Sequence, residues 1–166
     1  SVTGSVRATY AERTITSEPL NGTKIEVEVP THVSGTVDFE SGAIATVLTT
    51  FDIWGAKLPF IEIYGSEGSL SVPNPNNFGD PVQILTCEKS EWEDVPVTRP
   101  FAANSRGLGV ADMATSISNG EPHRASGALA AHVLEVMHAF GLSSDSCGRI
   151  DLTSTCVRPA PLPVDS

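Results

Sequence analysis

Over the first hundred residues apolar and polar side chains alternate with period two, interrupted at intervals by turn residues, which is the pattern of half-buried strands. It predicts strands over 1–16, 24–40, 43–54, 60–64, 69–72, 82–88 and 92–97. Glu40-Ser41-Gly42 and Gly65-Ser66-Glu67-Gly68 each separate two β-rich runs; both are short and contain glycine, as hairpin turns between antiparallel neighbours require. The run Pro73 to Pro81 contains three prolines, which remove ladder donors and fix φ, so it is expected as a surface loop. After Pro100 the period becomes helical. Val110, Met113 and Ile117 recur behind Asn104 and Ser105, either of which suits a helix start, and Asn119-Gly120 supplies a stop. A second helix is expected to open at Ser126, carry Leu129, Val133, Met137 and Phe140 on one stripe, and close before Gly148. Arg149 to Val157 then alternates like a strand that returns to the sheet.

Strands first and helices last predict an α+β domain, a large mainly antiparallel sheet with two helices packed on one face. The strand from Ala43 to Trp54 adds information about its surroundings. Ala45, Val47, Phe51 and Ile53 fall on one face and Ile44, Leu48 and Trp54 on the other. A sheet with water on one side alternates more cleanly. Either a further domain or a second subunit covers the far face, or the sheet curls over its own loops.

Composition narrows the function classes. At 166 residues the chain has the length of one ordinary domain, and 40% of its residues are hydrophobic, so disorder is excluded. Ten basic against twenty acidic residues give a formal charge of −10, which repels phosphate backbones and anionic lipid. Nucleic acid and membranes are therefore not expected partners. No apolar run approaches the roughly 20 residues of a membrane span, and no basic-then-apolar leader is present. Cys87, Cys147 and Cys156 are widely spaced, which fits reduced thiols in a cytoplasmic protein better than a zinc site or a disulfide framework. Asn21-Gly22-Thr23 matches a glycosylation acceptor, read as accidental without a secretion signal. The start at Ser1, inside an alternating run, reads as a cut end.

Chemistry-bearing constellations are few. His132, Glu135 and His138 stand at i, i+3 and i+6, which spreads them over about 120° of a helix, unlike the one-face spacing of a zinc protease. His32 and His123 have no acidic or cysteine neighbours at ligand spacing. No nucleophile elbow, P-loop or strand–helix G-x-G-x-x-G is present. Arg106-Gly107-Leu108-Gly109 places an arginine and flexible backbone at a helix start, where an anion can bind; a tight helix entry explains it equally. Asp52-Ile53-Trp54-Gly55-Ala56-Lys57 brings a carboxylate, an indole and an ammonium group together at a strand end, either a sugar-pocket wall or an ordinary strand terminus. Asp52, Trp54, Lys57 and Arg106 are thus the candidate substrate contacts.

Three segments taken in order, His32 to Ala43 (His-Val-Ser-Gly-Thr-Val-Asp-Phe-Glu-Ser-Gly-Ala), Ile61 to Leu70 (Ile-Glu-Ile-Tyr-Gly-Ser-Glu-Gly-Ser-Leu) and Arg106 to Met113, resemble the glucose–fructose oxidoreductase and inositol dehydrogenase family (Gfo/Idh/MocA). Arg124 to Gly127, His132 to Met137 and Gly148 to Leu152 resemble its last helix and strand. The resemblance implies the family's carboxy-terminal domain, with a dihydrodipicolinate-reductase-like fold, occupying 1–166 as a single substrate and dimerisation domain. It also implies an amino-terminal Rossmann domain, absent from this chain, that binds NAD or NADP. In the family a Glu-Lys-Pro lysine and an acid–base histidine precede this region. Neither has a counterpart here, so no catalytic, cofactor-binding or metal position is carried over, and the chain alone is expected to bind no cofactor and to be inactive. The function so implied is an oxidoreductase acting on a sugar, polyol or related hydroxyl compound, paired as a homo-oligomer through the open sheet face. The alternative is a non-catalytic oligomerisation or ligand-binding module.

Overall fold

The first 38 residues fold as one long hairpin with a fault in its register. The computed structural model describes residues 1–98, 100–103 and 105–162. Strands β1 (Val2–Arg7) and β4 (His32–Asp38) pair antiparallel, with Val2 opposite Val37 and Arg7 opposite His32. Continued outward, that register would set Glu12 opposite Val27. Strands β2 (Glu12–Thr14) and β3 (Lys24–Glu26) instead place Glu12 opposite Glu26. Four residues join Arg7 to Glu12 and five join Glu26 to His32, so the returning leg carries one extra residue, the condition for a bulge. The expected strands 1–16 and 24–40 are each split there. Period-two alternation survives a bulge on either side of it, which is why the sequence pattern passes over the break.

Strand β5 (Ile44–Thr50) pairs with β4 and closes the sheet in the order β1-β4-β5. One face of this sheet carries Val2, Val6, Val33, Val37, Ala45 and Val47 and packs against helix α2 (Gly127–Ser146) through Val136, Ala139 and Phe140. Gly4 and Gly35 lie opposite each other under Phe140; a Cβ on Gly4 would stand 2.6 Å from its ring. Burial of Val2, Val37, Ala139 and Phe140 forms the centre of this core. Helix α2 starts at Ser126, whose side chain accepts from the Leu129 N–H at 3.2 Å, and ends at Cys147 in the left-handed region. Its expected stripe is displaced: Val133 and Met137 are exposed, and the buried line runs through Ala139, Phe140 and Ser143. Ile150 returns to the sheet, exchanging backbone hydrogen bonds of 2.8 and 2.9 Å with Val2.

The other face of β1-β4-β5 is mostly hydroxyl. Thr3, Thr36 and Thr46 align across the three strands, as do Ser5, Ser34 and Leu48. The expectation of a strand apolar on both sides is corrected here. β5 ends at Thr50, so Phe51, Ile53 and Trp54 lie beyond the ladder, and only Ile44, 69% exposed, and Leu48, 45% exposed, make β5 apolar on that face.

Residues Ser1–Gly55 and Ser126–Val157 form one compact unit; Ala56–Ala125 and Arg158–Ser166 form another. The second contains β6 (Ile61–Tyr64), β7 (Gly68–Val72), β8 (Val82–Thr86) and β9 (Glu93–Val95), an antiparallel meander in the order β6-β7-β8-β9, and α1 (Leu108–Asn119). The α+β class and the antiparallel pairing hold. The single large sheet is corrected to three sheets among the described residues, because Gly55 and Pro59 fall in the connection after β5 and no ladder runs through it. Helix α2 covers β1-β4, and α1 lies in the second unit. Its N-cap is Gly107 rather than Ser105, whose hydroxyl donates to the Ala103 carbonyl at 2.9 Å; Asn104 lies outside the described residues. Gly120, at φ 70°, closes α1 as the sequence indicated. The expected apolar stripe of α1 does not form its buried line, since Val110 and Ile117 are exposed and Ser116 is buried.

Candidate functional site

Asp52 sits two residues past β5, where the chain turns back over the fault in the hairpin. Its Oδ2 accepts from Thr9 Oγ1 at 2.7 Å and from Thr31 Oγ1 at 2.6 Å, so a single oxygen ties the outgoing leg to the returning one. Its own N–H donates to Thr50 Oγ1 at 3.1 Å. Arg13 of β2 reaches the same place: Nη1 lies 3.7 Å from Asp52 Oδ1, and Nη2 donates to the Phe51 carbonyl at 3.0 Å. The Arg13 guanidinium also stands 5.9 Å from the centre of the Tyr10 ring. The Asp52 side chain is only 5% exposed, and Oδ1 is buried without a hydrogen-bond partner. Hydroxyl donation from Thr31, then from Thr9, holds its carboxyl below the usual carboxylate range despite burial, so it is ionised at neutral pH.

The four candidate substrate contacts therefore differ in kind. Asp52 is turned inward as a clasp. Trp54, two residues on, is fully exposed. Lys57 belongs to the second unit, is exposed, and makes no ion pair among the described residues. Arg106, also in the second unit, donates through Nη2 to Asn76 Oδ1 at 3.3 Å and lines an open groove with Asn77, Gly79, Asp80 and Ala102. That groove joins the proline loop to the start of α1, a juxtaposition of two segments that sequence spacing alone keeps apart.

Two further clusters went unrecognised in the sequence. On α2, Glu135 accepts four hydrogen bonds: from Thr153 N and Oγ1 at 2.7 and 2.8 Å, and from Ser154 N at 2.9 Å and Ser154 Oγ. The Ser154 hydroxyl, followed by the Thr153 amide, depresses the Glu135 carboxyl to about 2. His132 Nδ1 lies 2.8 Å from Ser154 Oγ. A carboxylate can only accept, so the Ser154 proton points at Glu135 and His132 Nδ1 must donate to the hydroxyl. This is the reverse of an activated serine, whose proton points at histidine. The cluster fastens residues 153–154 to α2 and holds no nucleophile. The i, i+3 spacing of His132 and Glu135 was visible; their partner on the returning segment was not.

In the second unit Asp112 accepts from the Arg124 N–H at 3.1 Å and from Arg124 Nη1, while Arg124 Nε and Nη2 donate to the carbonyls of Ala160 and Pro161 at 2.9 and 3.3 Å. Arg124 thereby fixes the start of α2's lead-in and the segment after Val157 to α1. No group of three or more histidine, cysteine, aspartate or glutamate side chains among the described residues is arranged to hold a metal ion. No helix among them is long and apolar enough to cross a membrane.

Residues 1–71 match the family model described as the GFO/IDH/MocA C-terminal domain. A comparison with curated proteins finds no match. Among solved structures, an oxidoreductase domain protein from Kribbella flavida aligns with a TM-score of 0.68 at 22% identity, covering 88% of this chain and 42% of that one. Levoglucosan dehydrogenase in complex with NADH and levoglucosan aligns with a TM-score of 0.71 at 20% identity, covering 93% of this chain and 45% of that one. An oxidoreductase from Agrobacterium radiobacter in complex with NAD+, L-tartaric acid and magnesium aligns with a TM-score of 0.58 at 15% identity, covering 90% and 42%. The chain thus spans less than half the length of the structures it matches. Its α+β fold is like that of oxidoreductase C-terminal domains, and over residues 1–71, less than half of the chain, it is similar to the GFO/IDH/MocA C-terminal domain.

Proposed function

We propose that this chain is the carboxy-terminal substrate and assembly domain of a cytoplasmic NAD- or NADP-dependent oxidoreductase that acts on a sugar, polyol or related hydroxyl compound. The observation that carries this reading is the family match over residues 1–71, joined to the fold likeness over about nine-tenths of the chain. The sugar class is supported by the levoglucosan found with NADH in one of the matched structures.

The chain's own residues do not fit the nicotinamide cofactor. Every described strand pair is antiparallel, and the described residues form no parallel βαβ unit with a glycine-rich turn to seat a pyrophosphate. In this reading the cofactor and the acid–base group belong to a preceding Rossmann domain, and residues 1–166 act as one domain that holds substrate. In the first unit Trp54 offers an exposed ring for the apolar face of a sugar; in the second unit Lys57 and Arg106 each offer, separately, a donor to a hydroxyl. Asp52 supports the Trp54 segment from beneath. The hydroxyl-rich face of β1-β4-β5, with Ile44 and Leu48 along β5, pairs with a second copy.

The test is turnover by the natural protein that contains this chain, with NAD+ or NADP+ and a panel of sugars and polyols. Reduction of one cofactor with a subset of the panel is expected, and Trp54→Ala is expected to lower kcat/KM by about tenfold or more, roughly 1.4 kcal/mol of transition-state binding. Absence of turnover with either cofactor across the panel, beside binding of a sugar to the chain, would favour the non-catalytic ligand-binding module instead.

A further inference from the structure

The distal hairpin, β2 and β3 with their turn, is a two-stranded sheet of its own whose strands are three residues long. Such a sheet is marginal by itself in water. Leu20 and Ile25, 56% and 46% exposed, bury little within it. Its stability must come from the base, where the register fault interrupts the ladder to β1 and β4. What stands at the base is Asp52, bonded to both legs, and Arg13, which leaves β2 to reach the Phe51 carbonyl and the Asp52 carboxylate. These contacts do not end on the sheet itself. They end on residues 51 and 52, outside β5 and two to three residues before Trp54. The polypeptide that presents Trp54 and the polypeptide that carries the distal hairpin are therefore held by the same two side chains.

We propose that Arg13 and Asp52 are positioning residues that couple the distal hairpin to the Trp54 segment, so that displacement of the hairpin moves the ring. Burial of an ionised carboxylate with one oxygen lacking a hydrogen-bond partner is costly unless the group is held by its remaining contacts. Loosening any of the three, at Thr9, Thr31 or Arg13, shifts Asp52 and with it the backbone of residues 51–54. The functional meaning of the coupling, control of how a sugar platform is presented, rests on the role proposed for Trp54; the coupling itself does not.

The experiment uses the 166-residue chain with Trp92→Phe, leaving Trp54 as the single indole, and no sugar present. Hydrogen exchange of peptides within 12–27 and the fluorescence anisotropy of Trp54 are measured in Arg13→Ala, Asp52→Asn and Lys24→Ala. Arg13→Ala and Asp52→Asn are expected to speed exchange in 12–27 by about tenfold or more, the equivalent of one hydrogen bond to a charged group. Trp54 anisotropy falls in the same two variants, with exchange in β4 and α2 unchanged. Lys24→Ala removes the exposed ion pair to Glu12 near the tip and is expected to leave Trp54 anisotropy at the parent value. Since Asp52→Asn can compromise folding, Arg13→Ala decides the matter. Faster exchange in the hairpin with unaltered anisotropy overturns the coupling, as does no change in either. Trp54→Ala without effect on turnover would remove the sugar role and leave the anisotropy result standing.

Discussion

Phe140 of α2 occupies the space that a side chain on Gly35 would need. A Cβ built on Gly35 meets the Phe140 ring at 2.8 Å and, on its other side, the Thr3 carbonyl oxygen at 2.2 Å. The ring can turn away, but the backbone of a paired strand cannot. Gly35→Ala is accordingly expected to destabilise the chain by about 2–3 kcal/mol through overpacking, and Phe140→Ala by about 3–5 kcal/mol through the cavity it leaves. Urea midpoints compared at constant m-value measure both.

Glu135 predicts a specific acid limb. Its carboxyl is depressed to about 2 in the folded chain from an ordinary 4.5, so the unfolded chain takes up this proton first as pH falls. The stabilisation is complete above about 4.5 and is withdrawn between there and 2. Glu135→Gln is expected to lower stability at neutral pH and to flatten the slope in that window, with the two curves converging near pH 2. Denaturation midpoints of both proteins from pH 2 to 7 decide it; parallel curves would mean that the carboxylate contributes nothing beyond its uncharged analogue.

Arg124 is placed to hold residues 160 and 161. Its side chain is 29% exposed and that of Asp112 9%, so Arg124→Ala leaves a nearly buried carboxylate without its cation. The expected cost is about 2 kcal/mol, below the roughly 3–5 kcal/mol of a fully buried pair because of the partial exposure. Limited proteolysis after Val157 is expected to accelerate in Arg124→Ala and not in Arg149→Ala, whose ion pair to Asp151 is exposed on both sides.

The pairing proposed through the hydroxyl-rich face would place Leu48 at an interface between copies. Light scattering over a dilution series is expected to give a dimer for the parent chain and a monomer for Leu48→Arg with unchanged circular dichroism. A parent chain that is monomeric throughout removes the pairing from the proposed function.

The strands were legible because alternation is a local property. β6, β7 and the end of α1 at Gly120 fall where the residues predicted, and Ser126 caps α2 as its hydroxyl and position indicated. The limits of the reading were also physical. Alternation continues across Ala8–Ala11 and Val27–Thr31, so a bulge of one residue leaves no mark on either leg alone and appears only when the legs are paired. The stripes of both helices were misplaced because periodicity ranks apolar residues and not neighbours: Ser116 and Ser143 are buried while Val110 and Met137 are exposed. Of the candidate contacts, Asp52 is turned inward, and that orientation depends on Thr9 and Thr31, 43 and 21 positions away, which nothing local to Asp52 indicates. Asp112 and Arg124 lay in segments noted for their resemblance, with nothing local to pair them.

The extra residue in the returning leg of the hairpin has a consequence for solubility. In the order β1-β4-β5, β1 is an outer strand, bridged at Val2 by Ile150 and with no other strand on that side among the described residues. Were the ladder continuous from Val2 to Thr14, it would offer a long straight row of backbone donors and acceptors, the template on which strands of other chains assemble into aggregates. The fault breaks that row. Deleting one residue between Val27 and Thr31, or adding one between Ala8 and Ala11, would heal the ladder, and the healed protein is expected to be the more prone to fibrous precipitation.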